Sequence, residues 1–154
     1  MRLWLIPLCA LLLASCGGEP DDPRTRLRAT IASAEQAVEA RSLKQASVYL
    51  SPHYHDERGY DARAIRQLLL GYLQRHRDIH LFTHIAVLTL ADDQRAADVR
   101  LYVAMSGVPI PSLEAVAELH ADLYRFELHF IDTDEGWQLQ RADWHHAELK
   151  ELLD

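Results

Sequence analysis

Residues 121–144, ADLYRFELHFIDTDEGWQLQRADW, constrain this chain more than any other stretch. Tyr124, Phe126, Leu128 and Phe130 recur at every second position, with Arg125, Glu127 and His129 between them. Successive side chains of a strand point to opposite faces, so the alternation describes a strand with one buried and one wet face. Asp132, Thr133, Asp134, Glu135 and Gly136 turn the chain back into a second strand. Gly136 can take the positive φ that hairpin loops use. The rest of the chain must cover the aromatic face of this hairpin.

Upstream, the periodicity is helical. Leu27, Ile31, Ala34 and Val38 share one helix face, with Arg28, Glu35 and Glu39 elsewhere around the helix. A second, shorter helix starts at Ser42, carries Leu43, Ala46 and Leu50, and stops at Ser51 and Pro52. Residues 53–60, HYHDERGY, form a polar loop closed by Gly59. Asp61 caps a third helix, apolar at Ile65, Leu68, Leu69, Tyr72 and Leu73 and wet at Arg66, Gln74, Arg75 and Arg77.

The β half begins at Asp78. Residues 80–90, HLFTHIAVLTL, are apolar in both alternating registers and predict a central strand covered on both faces. The return strand, residues 95–106, places Val99, Leu101, Val103 and Met105 inward and Asp98, Arg100 and Tyr102 outward. Residues 107–120 form a long connection with one helical turn near Ser112, and residues 147–154 a frayed tail or short helix. Helices followed by about four long strands predict an α+β fold with helices on one face of an antiparallel sheet. A length of 154 residues suits a single domain.

This order resembles the nuclear-transport-factor-2-like (SnoaL-like) superfamily. The resemblance rests on paired N-terminal helices, a third helix leading into a strand, and a long final hairpin containing Gly136 and Trp137. The run from Leu50, Ser51, Pro52, His53 and Tyr54 through Gly59 and Tyr60 to His80 is similar to small bacterial lipoproteins of that group. The resemblance covers residues 25–144 and implies a cone-shaped single domain in which a strongly curved sheet wraps the helices. That cone serves isomerases, dehydratases, cyclases, epoxide hydrolases and non-catalytic binders, so fold alone names no activity. In its enzymes a carboxylate or His on the inner wall transfers the proton. Their Asp–His and Asp–Arg–Asn sets do not map onto this chain residue by residue.

The first residues carry an address. Arg2 precedes an apolar run at residues 3–13, and small residues follow. This is a secretory signal, too short to span a bilayer permanently. Leu13, Ala14, Ser15 and Cys16 resemble the bacterial lipobox, which implies a diacylglycerol thioether on Cys16 and cleavage before it. The expected division is a signal peptide at residues 1–15, lipidated Cys16 and a tether through residue 24, the cone domain at 25–146, and a tail at 147–154. Gly17 rather than Asp follows the cysteine, which favours the outer membrane facing the periplasm. Cys9 would be discarded and Cys16 acylated, leaving no thiol for a disulfide or a thiolate metal site. The net charge of −7 argues against nucleic acid as a partner.

Residues that could carry chemistry are scattered. His53 and His55, with Asp56 and Glu57, offer candidate metal donors, but no convergent spacing supports them. They read as a solvated loop, and no metal is expected. His80 and His84 share a face of the first strand, and His84 is the candidate for an internal general base. Asp143 is the candidate carboxylate: turned inward, its pKa would rise among apolar walls. By strict alternation it shares a face with Arg141, Leu139 and Trp137, so a surface pair with Arg141 is the competing reading. Tyr72, His84, Tyr124, Phe126 and Trp144 are the expected lining of any ligand pocket, although the aromatic stripe itself reads as core. No phosphate-binding glycine loop or dinucleotide fingerprint is present, and no cofactor is expected.

The leading expectation is a lipid-anchored, non-catalytic periplasmic domain that binds a small apolar ligand or an envelope partner. A lyase or isomerase using an inward His or Asp is the second. A structural accessory of an envelope assembly, acting through a homodimer or partner contact on the outer sheet face, is the third. For the anchor, the expected outcome is that Cys16→Ser abolishes incorporation of radiolabelled palmitate. Equal labelling of wild type and variant would remove the lipobox reading.

Overall fold

The computed structural model describes residues 22–153. The signal segment, Cys16 and most of the expected tether lie outside them. Helix α1 (Pro23–Glu39) starts at Pro23 rather than Thr25. The Asp22 side chain accepts a hydrogen bond from the Thr25 amide at 3.3 Å, and Pro23 occupies the first turn, where a missing N–H costs nothing. Ser42 caps α2 (Leu43–Ser47) and Asp61 caps α3 (Ala62–Arg75). Between α1 and α2, Arg41 takes φ 56° and donates to the Leu73 carbonyl at 2.8 Å, tying that turn to α3.

The strands are β1 (His80–Leu90), β2 (Ala96–Ser106), β3 (Asp122–Thr133) and β4 (Gly136–His146). They form one antiparallel sheet in the order β1-β2-β3-β4. β1 is therefore an edge strand, not the central strand its doubly apolar pattern predicts. Two things produce that pattern. Ala86 is an extra residue opposite the Leu101–Arg100 step of β2, so the inward phase moves from Leu81 and Ile85 to Leu88 and Leu90. Phe82, on the opposite face, packs beneath a second cover.

That second cover is made by α4 (Leu113–Glu118) and α5 (Leu149–Leu153). Ala115, Val116 and Leu152 pack with Ile110 over Tyr102, Ala104 and Leu123 on the outer sheet face. Tyr102 does point outward as expected, yet it is 5% exposed, because this cover hides it. The C-terminal helix is docked through Leu152 rather than frayed.

A second extra residue, Gln140, sits in β4, where the register passes from His129↔Arg141 to Phe130↔Leu139. It breaks the strict alternation assumed for that strand. Trp137 and Leu139 before it, and Ala142 and Trp144 after it, all join the inner core, while Arg141 and Asp143 face out. The inner core gathers Leu27 of α1 with Val99, Phe130 and Trp137. The Trp137 indole N–H is buried without a hydrogen-bond partner among the described residues.

Both sheet edges carry contacts. On β1, Glu39 accepts from the Leu81 amide at 2.8 Å and Arg24 donates to the Leu88 carbonyl at 2.7 Å. On β4, the Ser51 amide donates to the Leu139 carbonyl at 2.9 Å, the Leu139 amide to that of Tyr49 at 2.7 Å, and the His55 amide to that of Gln140 at 3.1 Å.

The in/out assignment of β3 has a direct consequence. Phe130 is 5% exposed, and truncating a buried Phe costs about 3–5 kcal/mol. His129, next along the strand, faces outward and bonds Asp98 at 2.8 Å. Phe130→Ala is expected to lower the denaturation midpoint sharply, and His129→Ala to change stability by under about 1 kcal/mol. Comparable losses in urea titrations would refute the assignment.

Candidate functional site

The aromatic stripe of β3 and the apolar stripe of α3 are expected to pack on each other. They do not meet. α3 packs along α2, and a cavity of ≈ 420 Å³ separates it from the sheet. Leu68, Leu69 and Tyr72 line one side; Phe126, Leu128 and Phe130 line the other. Leu73, expected in the same stripe, is buried elsewhere. α1 contributes Ile31, Ala34 and Val38, and β4 contributes Leu139, Ala142 and Trp144. Leu68 is 46% exposed, so the cavity reaches solvent beside α3. Its volume lies in the range of small-molecule sites, and its walls are almost wholly apolar.

One carboxylate interrupts those walls. Glu35, placed from sequence off the apolar face of α1, lines the cavity, and the Thr83 hydroxyl of β1 donates to its Oε2 at 2.8 Å. Burial pushes the Glu35 carboxyl above its ordinary pKa, the Thr83 bond partly opposes this, and the nearby charge of Glu39 reinforces it. The signal was present in the sequence: Glu35 stands four residues after Ile31 and three before Val38, inside the apolar stripe. Thr83 likewise falls in phase with Leu81 and Ile85. Arg66, also expected on a wet face, lines the cavity from α3. Burial raises the Tyr72 phenol as well, reinforced by Asp122 and Tyr124.

The expected pocket residues divide. Tyr72, Phe126 and Trp144 line the cavity. Tyr124 shares their sheet face but lies past the lining, its ring 6.4 Å from Phe126 and 4.2 Å from His146. His84 does not face inward: it pairs with Tyr102 on the outer face, beside Arg100 and Arg125. Asp143 is also outside, because the extra residue Gln140 reverses its phase relative to Trp137. It pairs with Arg58 at 3.0 Å rather than with Arg141. The Arg58 guanidinium lies 4.2 Å from the centre of the Trp144 ring and donates to the Trp144 carbonyl. Neither His84 nor Asp143 can act on a molecule in the cavity.

The HYHDE loop is more than a solvated segment. Tyr54 and Asp56 are buried beneath it, while His53 and His55 are exposed. Burial would raise the Asp56 carboxyl. The Tyr54 hydroxyl at 2.8 Å, the Tyr60 and Arg58 amides at 3.0 Å and the Arg58 charge outweigh that and hold its pKa low. Tyr54 is raised in turn, first by burial and then by Asp56. The pair anchors the loop. Among the described residues no group of three or more His, Cys, Asp or Glu side chains is placed to hold a metal ion.

No protein-family model matches the sequence, and comparison with the curated proteins finds no match. Solved structures do match in shape. A proposed dehydratase of the nuclear-transport-factor-2-like family from Streptomyces avermitilis superposes with a TM-score of 0.66 at 14% identity, over 84% of this chain and 99% of that one. A proposed scytalone dehydratase from Novosphingobium aromaticivorans gives 0.63 at 10% identity, over 81% and 84%. Bd1075 of Bdellovibrio bacteriovorus gives 0.61 at 11% identity over 81% of this chain, which spans 41% of that protein. These likenesses show the fold alone: the chain folds as an α+β cone like that of these nuclear-transport-factor-2-like structures.

The raised Glu35 carboxyl makes a prediction about pH. The folded state holds this proton more tightly than the unfolded chain, so its stabilising contribution is complete below the ordinary value of 4.5 and is lost as pH rises through the raised folded value. Glu35→Gln mimics the protonated form. Thermal unfolding across pH is expected to show the variant gaining on wild type as pH climbs through that window. Parallel curves would mean that Glu35 is fully solvated.

Proposed function

Taking this cone fold as the frame, we propose that the chain is a lipid-anchored envelope domain that holds one small, mostly apolar molecule between α3 and the sheet. The observation that carries the reading is the cavity where a packed core is expected. Its walls are mostly Leu, Ile, Val, Ala and aromatic side chains. Covering apolar surface is favourable by roughly 25 cal/mol per Å², so an apolar guest is the natural occupant. The resemblance of Leu13, Ala14, Ser15 and Cys16 to a lipobox supports the anchor, and Gly17 after the cysteine favours the outer membrane facing the periplasm.

The scaffold reading has less behind it. The interior is not filled, and the part of the outer sheet face left by α4 and α5 carries Arg100 with Glu127 at 2.8 Å and His129 with Asp98 at 2.8 Å. A homodimer or partner there would have to cover these polar pairs. A lyase or isomerase reading has one specific observation in its favour, the raised carboxyl of Glu35 inside an apolar wall. It lacks a partner: among the described residues no His, and no Asp or Glu besides Glu35, lines the cavity.

Native mass spectrometry of the chain purified from its own host tests the binding reading. The expected spectrum shows a single small-molecule adduct. Ala34→Phe, which places a ring in the cavity from α1, is expected to cut its occupancy at least roughly tenfold. A wild type that carries no adduct, or an adduct that Ala34→Phe leaves untouched, would defeat it.

A further inference from the structure

Glu35 is only half satisfied. The Thr83 hydroxyl reaches Oε2 at 2.8 Å, and among the described residues no hydrogen bond reaches Oε1. Glu35 is half-buried and lines the cavity with Oε1 still accessible, so the free lone pairs of that oxygen can accept from a guest that donates to them. The local charge points the same way. Glu39, one helical turn further along α1, is occupied by the Leu81 amide at 2.8 Å, and its negative charge acts on Glu35. Among the described residues neither glutamate has a Lys, Arg or His as an ion-pair partner. The guanidinium that lines the cavity, Arg66, belongs to α3 and forms no ion pair with Glu35 among the described residues.

We infer that the ligand is an apolar body bearing one hydrogen-bond-donating head, an amine or a hydroxyl, and that Glu35 Oε1 receives that head. This rests on the binding reading above and specifies its chemistry. Thr83 acts as a positioning residue, fixing the Glu35 carboxyl through Oε2 so that Oε1 is left for the guest. An anionic head placed at Glu35 would meet the charges of Glu35 and Glu39, and one turned to Arg66 instead would leave Glu35 Oε1 without a donor, so fatty acids and other carboxylates are disfavoured at this end of the cavity. Ammonium gains twice, from the hydrogen bond and from the charge, and a neutral hydroxyl gains once.

Three rigid probes of matched size separate these effects: 1-aminoadamantane, 1-adamantanol and adamantane-1-carboxylate. They are titrated calorimetrically into the full chain in lipid nanodiscs at neutral pH, with empty nanodiscs as the partition control. Wild type is expected to bind the amine most tightly, then the alcohol, and the carboxylate at least roughly tenfold more weakly than the amine. Glu35→Gln keeps an acceptor oxygen but removes the charge, so it is expected to bring the amine down to the alcohol. Glu35→Leu is expected to bring all three together. Carboxylate binding as tight as amine binding in wild type, or an order unchanged in both variants, overturns the donor-head inference while the cavity remains a binding site. Failure of all three probes to bind wild type overturns the cavity reading itself, and this inference with it.

Discussion

The cavity depends on two extra residues, Ala86 in β1 and Gln140 in β4. A bulge adds one residue to one strand of a pair, bends that strand and increases the local twist. Here the bulges lie on the two outermost strands, so the sheet curls from both sides and presents a concave face. α1 lies along that face, where Leu27 and Ile31 enter the inner core. α3, held to α2 and to Arg41, spans the hollow instead of filling it. The same insertions shift the inward phase of each edge strand, which lets apolar residues on both sides of the bulge reach the core.

Much of this was legible in the sequence. Alternation in β3 and the inward half of β2, helical spacing in α1 and α3, the caps at Ser42 and Asp61, and the turn at Gly136 all placed elements correctly, and their order matched the cone. What was hidden has a common physical cause. A period shows which side of an element is apolar but carries no information about the distance to the opposite side. Two apolar stripes look like packing partners whether they touch or face each other across a void. A bulge is a single-residue insertion without a compositional mark at Ala86 or Gln140, so Asp143 and the double pattern of β1 could not be assigned to faces by counting. Glu35 differs: its position four residues after Ile31 is visible in the spacing, but the period does not say whether a carboxyl there turns to water or to a hollow.

Asp56 and Glu35 show how one functional group acquires opposite roles. Asp56 is buried and Glu35 half-buried, and in each case the loss of water by itself favours the neutral form. Asp56 receives the Tyr54 hydroxyl and the Arg58 and Tyr60 amides, with the Arg58 charge close by, and its acceptor capacity is used up in holding a loop. Glu35 receives Thr83 alone and has another glutamate for a neighbour. The first is finished architecture; the second retains capacity for something that is not part of the protein. Degree of saturation, more than burial, separates a structural acid from one available to a guest.

The contacts along the outermost strands have a further consequence. An antiparallel sheet of four strands ends in two rows of backbone donors and acceptors, the usual template for strand addition by another chain and for edge-to-edge aggregation. Glu39 and Arg24 occupy one row; the backbone of Tyr49, Ser51 and His55 occupies part of the other. Lengthening the sheet at those positions would first require displacing α1 side chains or the segment after α2. Neighbouring copies of the chain therefore have little opportunity to stitch themselves together through their backbones. Association has to be read out through side chains instead, on surfaces where specificity can be encoded.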